Sequence, residues 1–466
     1  MNKPNDIATL VARVAGRHGL PPVALAAMIA DWLRRSGSAE PDEALLDRKS
    51  ADLLVLTRRL AMPFDDATIR GLRGTAAVAL AEGRLADGDK ALAQAELHAI
   101  GGSTDLAALP LERRLLIGEN RADRAALSFL RTTPDAYHES AARYGEASAL
   151  IGLADIDRSR AAALEQAKAL ARVSEDFGGR EGYDTAVAAL RRLIQGLDSL
   201  EDTVAFAAAQ ETLAATLEGL ADLSGETALL GTALAHCRDG LEDLRSEEAP
   251  ALWRTLTLRF GRLAVTLGVA QKDDELLEEA IAAHAKVLAV WDRRDDESRW
   301  LQAEHMISRA RATLGRHRSD LSLLERAFNG INRVAQATDR ARQPLRWAEL
   351  QDQMGSVLAS MGERYSEPVV LEEAIAHFDA ALEERRAERA PLLRARTLAN
   401  QAETMLQLAR RTRDRELAQR ALAQLMSAME IARQSPDGGA TAADLQERLV
   451  AAGAVATQLI GGSPAR

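Results

Sequence analysis

The 466-residue sequence has few aromatic residues, a single cysteine and no long uncharged apolar run. Aromatic residues make up only 3% of the chain, whereas Ala, Leu, Arg and Glu dominate it. Strands favour β-branched and aromatic side chains, and the residue types that are abundant here are strong helix formers. The composition therefore predicts an all-α protein.

The other scarcities exclude several protein classes. The lone cysteine, Cys237, excludes an internal disulfide framework and any site with several thiolate ligands. The chain has no apolar run long enough to span a bilayer and no signal-peptide pattern near its start. Its net charge of −10 provides no basic excess for neutralising phosphates. We therefore expect a cytoplasmic protein without a membrane or nucleic-acid partner.

Motifs that carry known chemistry are also missing. The sequence contains no phosphate-binding loop, dinucleotide fingerprint, zinc-protease motif or serine-nucleophile elbow. The nearest candidate is His236 beside Cys237, which falls inside a predicted helix, where a buried structural cysteine is expected. His236 and His377 stand on different repeat units, so they are not expected to converge on one metal ion. The prediction is no enzyme, no cofactor and no metal site.

The sequence does contain a repeat with a step of 47 residues. Alanine recurs at 186, 233, 280, 327, 374 and 421, and an apolar residue follows it each time. Small residues form a second column, which comprises Ala167, Ala214, Gly261, Ser308, Gly355 and Ala402. Bulky rings form a third, at Phe206, Trp253, Trp300 and Trp347. No insertion or deletion interrupts this run from about residue 156 to 436, so the repeat is structural in origin.

Each unit is predicted to form two antiparallel helices. In one unit the first helix covers 344–361 with proline near its start, and Gly362 is expected to end it. The second helix covers 371–386 and has one apolar face. The small residue in each helix lets the two backbones approach closely where the helices cross.

The run MGSVLASMG and the following LEEAIAHFDAAL resemble the tetratricopeptide signature through Gly355, Gly362, Ala374, Phe378 and Ala381. HEAT and armadillo repeats have periods of about 40–47 residues, but the residue pattern favours tetratricopeptides. The chain is similar to the long-loop arrays of bacterial proteins. The resemblance extends upstream to 81–96 and 137–150 at standard repeat length. It implies a right-handed α-solenoid of antiparallel helix pairs.

Four segments are predicted from these patterns. Residues 1–62 form an N-terminal helical cap or docking segment with helices over 5–17, 22–36 and 42–60, and both roles stay open. Standard-length units cover 63–155, and six 47-residue units cover 156–436. Residues 437–466 provide a C-terminal capping helix and tail, because a solenoid needs its last apolar face covered.

The resemblance also implies a binding surface, since in tetratricopeptide arrays the first helix of each pair lines the concave face. Column by column, the implied protein-binding positions are Lys168, Glu211, Glu218, Arg262, Gln302, His305, Arg309, Glu349, Asp352 and Glu403. They suggest a basic middle around Arg262, His305 and Arg309. An acidic stretch follows around Glu349, Asp352 and Glu403. A peptide with complementary charge blocks would suit such a groove.

The leading functional prediction is a non-enzymatic scaffold or adaptor that binds a protein or peptide in this groove. An effector encoded as a separate chain would be a candidate partner. Two other classes stay open, namely a sensor of a small ligand or lipid within the superhelix and a self-assembling structural protein. Homo-oligomerisation also stays open.

Overall fold

The computed structural model describes residues 3–35, 43–152, 154–294, 297–365, 367–435 and 438–461. The chain is 82% helical, and within these ranges it forms twenty helices and no strand. The all-α fold class is therefore confirmed. The chain divides into two compact units, Met1–Leu256 and Thr257–Arg466.

The unit Met1–Leu256 is built from helix pairs that follow three N-terminal helices. Its described helices are α1 (Lys3–Arg17), α2 (Pro22–Arg35), α3 (Glu43–Leu60), α4 (Ala67–Ala81), α5 (Leu85–Ile100), α6 (Leu111–Leu130), α7 (Pro134–Ile151), α8 (Ile156–Phe177), α9 (Glu181–Gln195), α10 (Thr203–Ser224) and α11 (Ala228–Glu242). From α4 onward, consecutive helices pack as antiparallel pairs. We call the first helix of each pair the A helix and the second the B helix.

The unit Thr257–Arg466 repeats this arrangement. The boundary between the units lies inside α12 (Pro250–Gln271), and the later helices are α13 (Asp274–Val290), α14 (Glu297–Arg318), α15 (Leu321–Ala337), α16 (Pro344–Gly362), α17 (Val369–Glu384), α18 (Pro391–Thr412), α19 (Arg415–Gln434) and α20 (Gly439–Gly461). The A helices α14, α16 and α18 pair with α15, α17 and α19. Helix α20 packs against α18 and α19, where Leu445 joins their apolar core.

Helix boundaries follow the periodicity of the sequence. The first residues of α8, α10, α12, α14, α16 and α18 lie at a constant step of 47 residues: Ile156, Thr203, Pro250, Glu297, Pro344 and Pro391. The stretches 81–96 and 137–150 fall mainly on the B helices α5 and α7. The three predicted N-terminal helices coincide with α1, α2 and α3. The sequence GSAEPD, residues 37–42, which separates the second and third predicted helices, lies outside the described residues.

The turn from the A to the B helix also recurs, although its sequence varies. Five of these turns in the 47-residue units contain a positive φ: the first at Gly178 and Gly179, and the others at Gly225, Lys272, Ser319 and Arg413. In the last three turns an aspartate follows and caps the B helix by accepting a backbone N–H, as Asp273 does from Leu276 at 3.0 Å. The left-handed residue and the cap together set the sharp entry into the B helix.

All six residues of the small-residue column are buried. A Cβ atom on Gly355 would lie 2.9 Å from the ring of Phe378 on α17. A Cβ atom on Gly261 would collide with the ring of His284 on α13. The prediction that these positions permit close packing of the A and B helices is therefore confirmed.

Gly362 ends α16, as predicted, and it also has a packing role. It is the last residue of α16, it is absent from the positive-φ residues, and the next residue, Glu363, has φ −60°. Gly362 therefore ends the helix without the left-handed conformation that is common in C-terminal glycines. A Cβ atom there would collide with Leu371 of α17, so glycine is needed because the B helix packs directly against this point.

Leucine at Gly355 should lower the stability of Thr257–Arg466 by about 1–3 kcal/mol, because the added side chain would overpack the contact with Phe378. The control is leucine at Gly231, which is exposed on α11, where an added Cβ atom would meet no other atom within 4 Å. There the change should stabilise the helix by up to about 1 kcal/mol. Urea unfolding followed by circular dichroism measures both, and an unchanged midpoint for Gly355→Leu would contradict the packing account.

Candidate functional site on the A helices

Four side chains on α14 and α16 form a closed hydrogen-bonded ring in the unit Thr257–Arg466. Arg346 donates to Glu349 Oε2 (2.8 Å) and to His305 Nδ1 (2.9 Å). His305 Nε2 donates to Gln353 Oε1 (2.7 Å), and Gln353 Nε2 donates to Glu349 Oε1 (3.0 Å). The guanidinium therefore selects the tautomer of His305 that carries its proton on Nε2.

The ring holds His305 as a neutral imidazole. The residue is 1% exposed, and burial together with the neighbouring Arg346 guanidinium lowers the pKa of His305 to about 4. A charged imidazolium would lose hydration and face a cation at hydrogen-bond distance. His305, which was predicted to point into the groove, thus orients Arg346 and Gln353 from an interior position.

Further polar contacts extend along the A helices beyond this ring. Asp352 on α16 lies 3.5 Å from the guanidinium of Arg385, and burial raises the pKa of Asp352. Arg448 on α20 donates to Glu403 (2.6 Å) and to Asn400 Oδ1 (3.0 Å) on α18. With the Arg346–Glu349 contact, every carboxylate of the predicted acidic stretch has an arginine partner inside the unit. The stretch is therefore neutralised internally.

Arg309 on α14 differs from the paired carboxylates of this A-helix surface. It lies one turn after His305 on α14 and is half-buried. Its guanidinium contacts Met306 Sδ at 4.0 Å, and among the described residues it has no carboxylate partner. Arg309 therefore places an uncompensated cation beside the neutral ring.

The remaining predicted positions are distributed over both units. Gln302 and Arg262 are exposed on α14 and α12. In Met1–Leu256, Lys168 pairs with Glu165 on the same helix at 2.7 Å. Glu211 is half-buried and Glu218 is buried on α10. The structure thus links His305 and Glu349 through Arg346 and Gln353, two residues that were not predicted.

In the unit Met1–Leu256, helix α3 lies against the A helices. Arg59 Nε donates to Asp123 Oδ1 on α6 at 2.9 Å. Lys49 Nζ donates to the carbonyl oxygen of Phe129 at the end of α6 at 2.8 Å. Arg48 pairs with Asp176 on α8 at 3.2 Å. Part of the A-helix surface in this unit is therefore covered by the chain's own N-terminal segment.

Lys49 occupies an aromatic pocket under α3. Its side chain is 1% exposed, and its ammonium lies 4.9 Å from the ring centroid of Phe129 and 4.7 Å from that of Tyr137. Burial lowers the pKa of Lys49 to about 8, although the nearby carboxylate of Asp52 opposes the shift. The ring faces and the carbonyl oxygen replace part of the water that a lysine normally keeps.

The histidines and the cysteine considered for metal or nucleophile chemistry have structural contacts. His236 and His377 each bond through Nδ1 to a glutamine of the paired A helix, Gln210 and Gln351, at 2.7 Å. Cys237 is fully buried on α11. Among the described residues, no cluster of three or more His, Cys, Asp or Glu side chains is placed to hold a metal. None of the described helices is long and apolar enough to cross a membrane.

Acidification should weaken the unit that contains His305. The unfolded histidine gains a proton below pH ~6.5, whereas the folded one stays neutral until about pH 4. Stability is therefore full above pH ~6.5 and falls by up to about 3 kcal/mol as the pH approaches 4. Urea unfolding at pH 7 and pH 5 should show a smaller loss for His305→Gln, which keeps an amide in the ring but does not titrate. If the unmodified chain and His305→Gln lost the same stability between pH 7 and pH 5, protonation of His305 would not be the cause.

No family model and no curated protein matches the chain. Among solved structures, it is similar to a circular tandem repeat protein with novel repeat topology and enhanced subunit contact surfaces, at 16% identity and a TM-score of 0.27, over 87% of this chain and 99% of that one. It is also similar to a human IFIT1 dimer with PPP-AAAA, at 14% identity and a TM-score of 0.33, over 96% of this chain and 95% of that one. With scores this low, neither likeness bears on what this chain binds.

Proposed function

We propose that the chain is a non-enzymatic scaffold or adaptor of the bacterial long-loop tetratricopeptide type. It binds an acidic segment of a partner protein across the A helices of Thr257–Arg466. The observation that carries this proposal is Arg309, a cation without a carboxylate partner among the described residues, beside side chains whose charges are already paired. An effector encoded as a separate chain in the same cytoplasm would be a suitable partner.

The arrangement favours binding for two physical reasons. The ring around His305 and Glu349 holds its side chains in place before a partner arrives, so little conformational entropy is lost on binding. A partner carboxylate could pair with Arg309 through a charge-assisted hydrogen bond. The exposed Gln302, on the same helix, offers an amide to the partner's backbone.

The proposal differs from the sequence-based expectation of alternating charge blocks. Glu349, Asp352 and Glu403 already have arginine partners, so a basic block on the partner would have to displace them. An acidic segment gains a contact with Arg309 without breaking an existing ion pair. The polar ring then serves as a neutral surface beside that contact.

Fluorescence polarisation with three labelled peptides of equal length, one acidic, one basic and one neutral, tests this proposal. The acidic peptide should bind best, and Arg309→Glu should weaken it about tenfold or more, which corresponds to ~1.4 kcal/mol. The matched control is Arg420→Glu, which reverses an exposed arginine on the B helix α19 of the same unit.

This control should leave the affinity for the acidic peptide within about twofold of the unmodified chain. Equal binding of the three peptides would contradict the proposal. Equal weakening by both charge reversals would do so as well, because it would indicate an attraction to net charge rather than to Arg309.

A further inference from the structure

We propose that α3 is a displaceable occupant of the A helices in Met1–Leu256, and that the surface beneath it binds a basic amphipathic helix of a partner. The surface is formed by α4, α6 and α8, and we call it the α3 seat. It lies in a different unit from Arg309, so this inference stands or falls independently of the acidic-segment site.

Helix α3 shows which chemistry fits the seat. Its apolar stripe consists of Leu46, Leu53, Leu56 and Leu60 and packs in one core with residues of α1, α2, α4, α5 and α6. Three cations flank this stripe: Arg48 and Arg59 reach the carboxylates of Asp176 and Asp123, and Lys49 enters the aromatic pocket. A partner helix with leucines at this spacing and basic residues beside them would make the same contacts.

The two buried carboxylates of the seat keep a partner without α3, although Arg73 Nη2 then loses the carbonyl oxygen of Arg59 that accepts its hydrogen bond. Asp123 is fully buried and also pairs with Arg73 of α4. Asp176 also accepts a hydrogen bond from the hydroxyl of Tyr137 at 2.6 Å. Both carboxylates therefore retain a partner outside α3, Arg73 on α4 and Tyr137 on α7, when Arg59 and Arg48 leave. Loss of α3 does not strand an isolated buried charge, which would otherwise be strongly unfavourable.

The contact between α3 and the seat is imperfect on both sides, and on the seat Arg73 Nε and Arg172 Nη1 are buried without a hydrogen bond to any described residue. Arg48 Nε, Ser50 Oγ and Asp52 Oδ2 are buried and make no hydrogen bond with any described residue. Asp52 Oδ2 lies 3.9 Å from Lys49 Nζ, beyond hydrogen-bond distance. Lys49 itself is buried as an ammonium at neutral pH, which favours release into water. If α3 served only to complete the core, apolar residues in place of Arg48, Ser50 and Asp52 would stabilise the folded chain better.

Hydrogen exchange of the full chain tests whether α3 opens by itself. Amides of α3 should exchange at least tenfold faster than those of α6 and α8. Lys49→Met, which keeps the length of the side chain without its charge, should slow exchange in α3 and leave α6 and α8 unchanged. If α3 exchanges only together with α6 and α8, or if Lys49→Met speeds its exchange, the proposal is wrong.

A synthetic peptide of residues 43–60 tests the seat as a binding surface. It should bind the full chain weakly, because α3 occupies the seat, and at least tenfold more tightly when the chain carries Leu56→Glu, which loosens α3. The same peptide with Lys49→Glu should lose that gain. If Leu56→Glu removes protection from α6 and α8 as well, or leaves peptide affinity unchanged, α3 is a permanent part of the core and the proposal fails.

Discussion

The A helices α12 and α16 each meet their B helix at a point where only a small side chain fits, and the packing of the array depends on such contacts. Gly355 lies against Phe378, and Gly261 lies against His284. Because this approach recurs every 47 residues, the A helices begin at a constant step from Ile156 onward. Their remaining surfaces are then left to contact either a neighbouring helix or a partner.

Much of the fold was predictable because packing leaves a periodic trace. The predicted helix at 344–361 matches α16 to within one residue, since proline starts it and the apolar positions follow helical spacing. The A-to-B turn was not predicted, because Lys272 and Ser319 adopt a positive φ without being glycine. The packing of Gly362 against Leu371 was not predicted, since a packing glycine and a capping glycine look alike in sequence.

The candidate site was less predictable, because its side chains pair between successive repeats at a spacing that differs from 47 residues. His305 bonds to Gln353, and Asn400 bonds to Arg448. In both pairs the partner lies one residue beyond the 47-residue column, so comparing equivalent positions missed it. Burial of His305 depends on neighbours in three dimensions and could not be inferred from its column. A search for polar pairs at 48-residue spacing would have found both contacts.

The two units present different versions of the A-helix surface, one contacted by α3 and one carrying Arg309. The central claim is that partners bind the A-helix surface that carries Arg309. Photo-crosslinking in cells of the native host tests this claim most directly. A photoreactive residue at Ser356, the position equivalent to Arg309 one unit later, should yield a discrete adduct that Arg309→Glu abolishes. An adduct that forms instead from Gln419 on the B helix α19, or that persists with Arg309→Glu, would contradict the account.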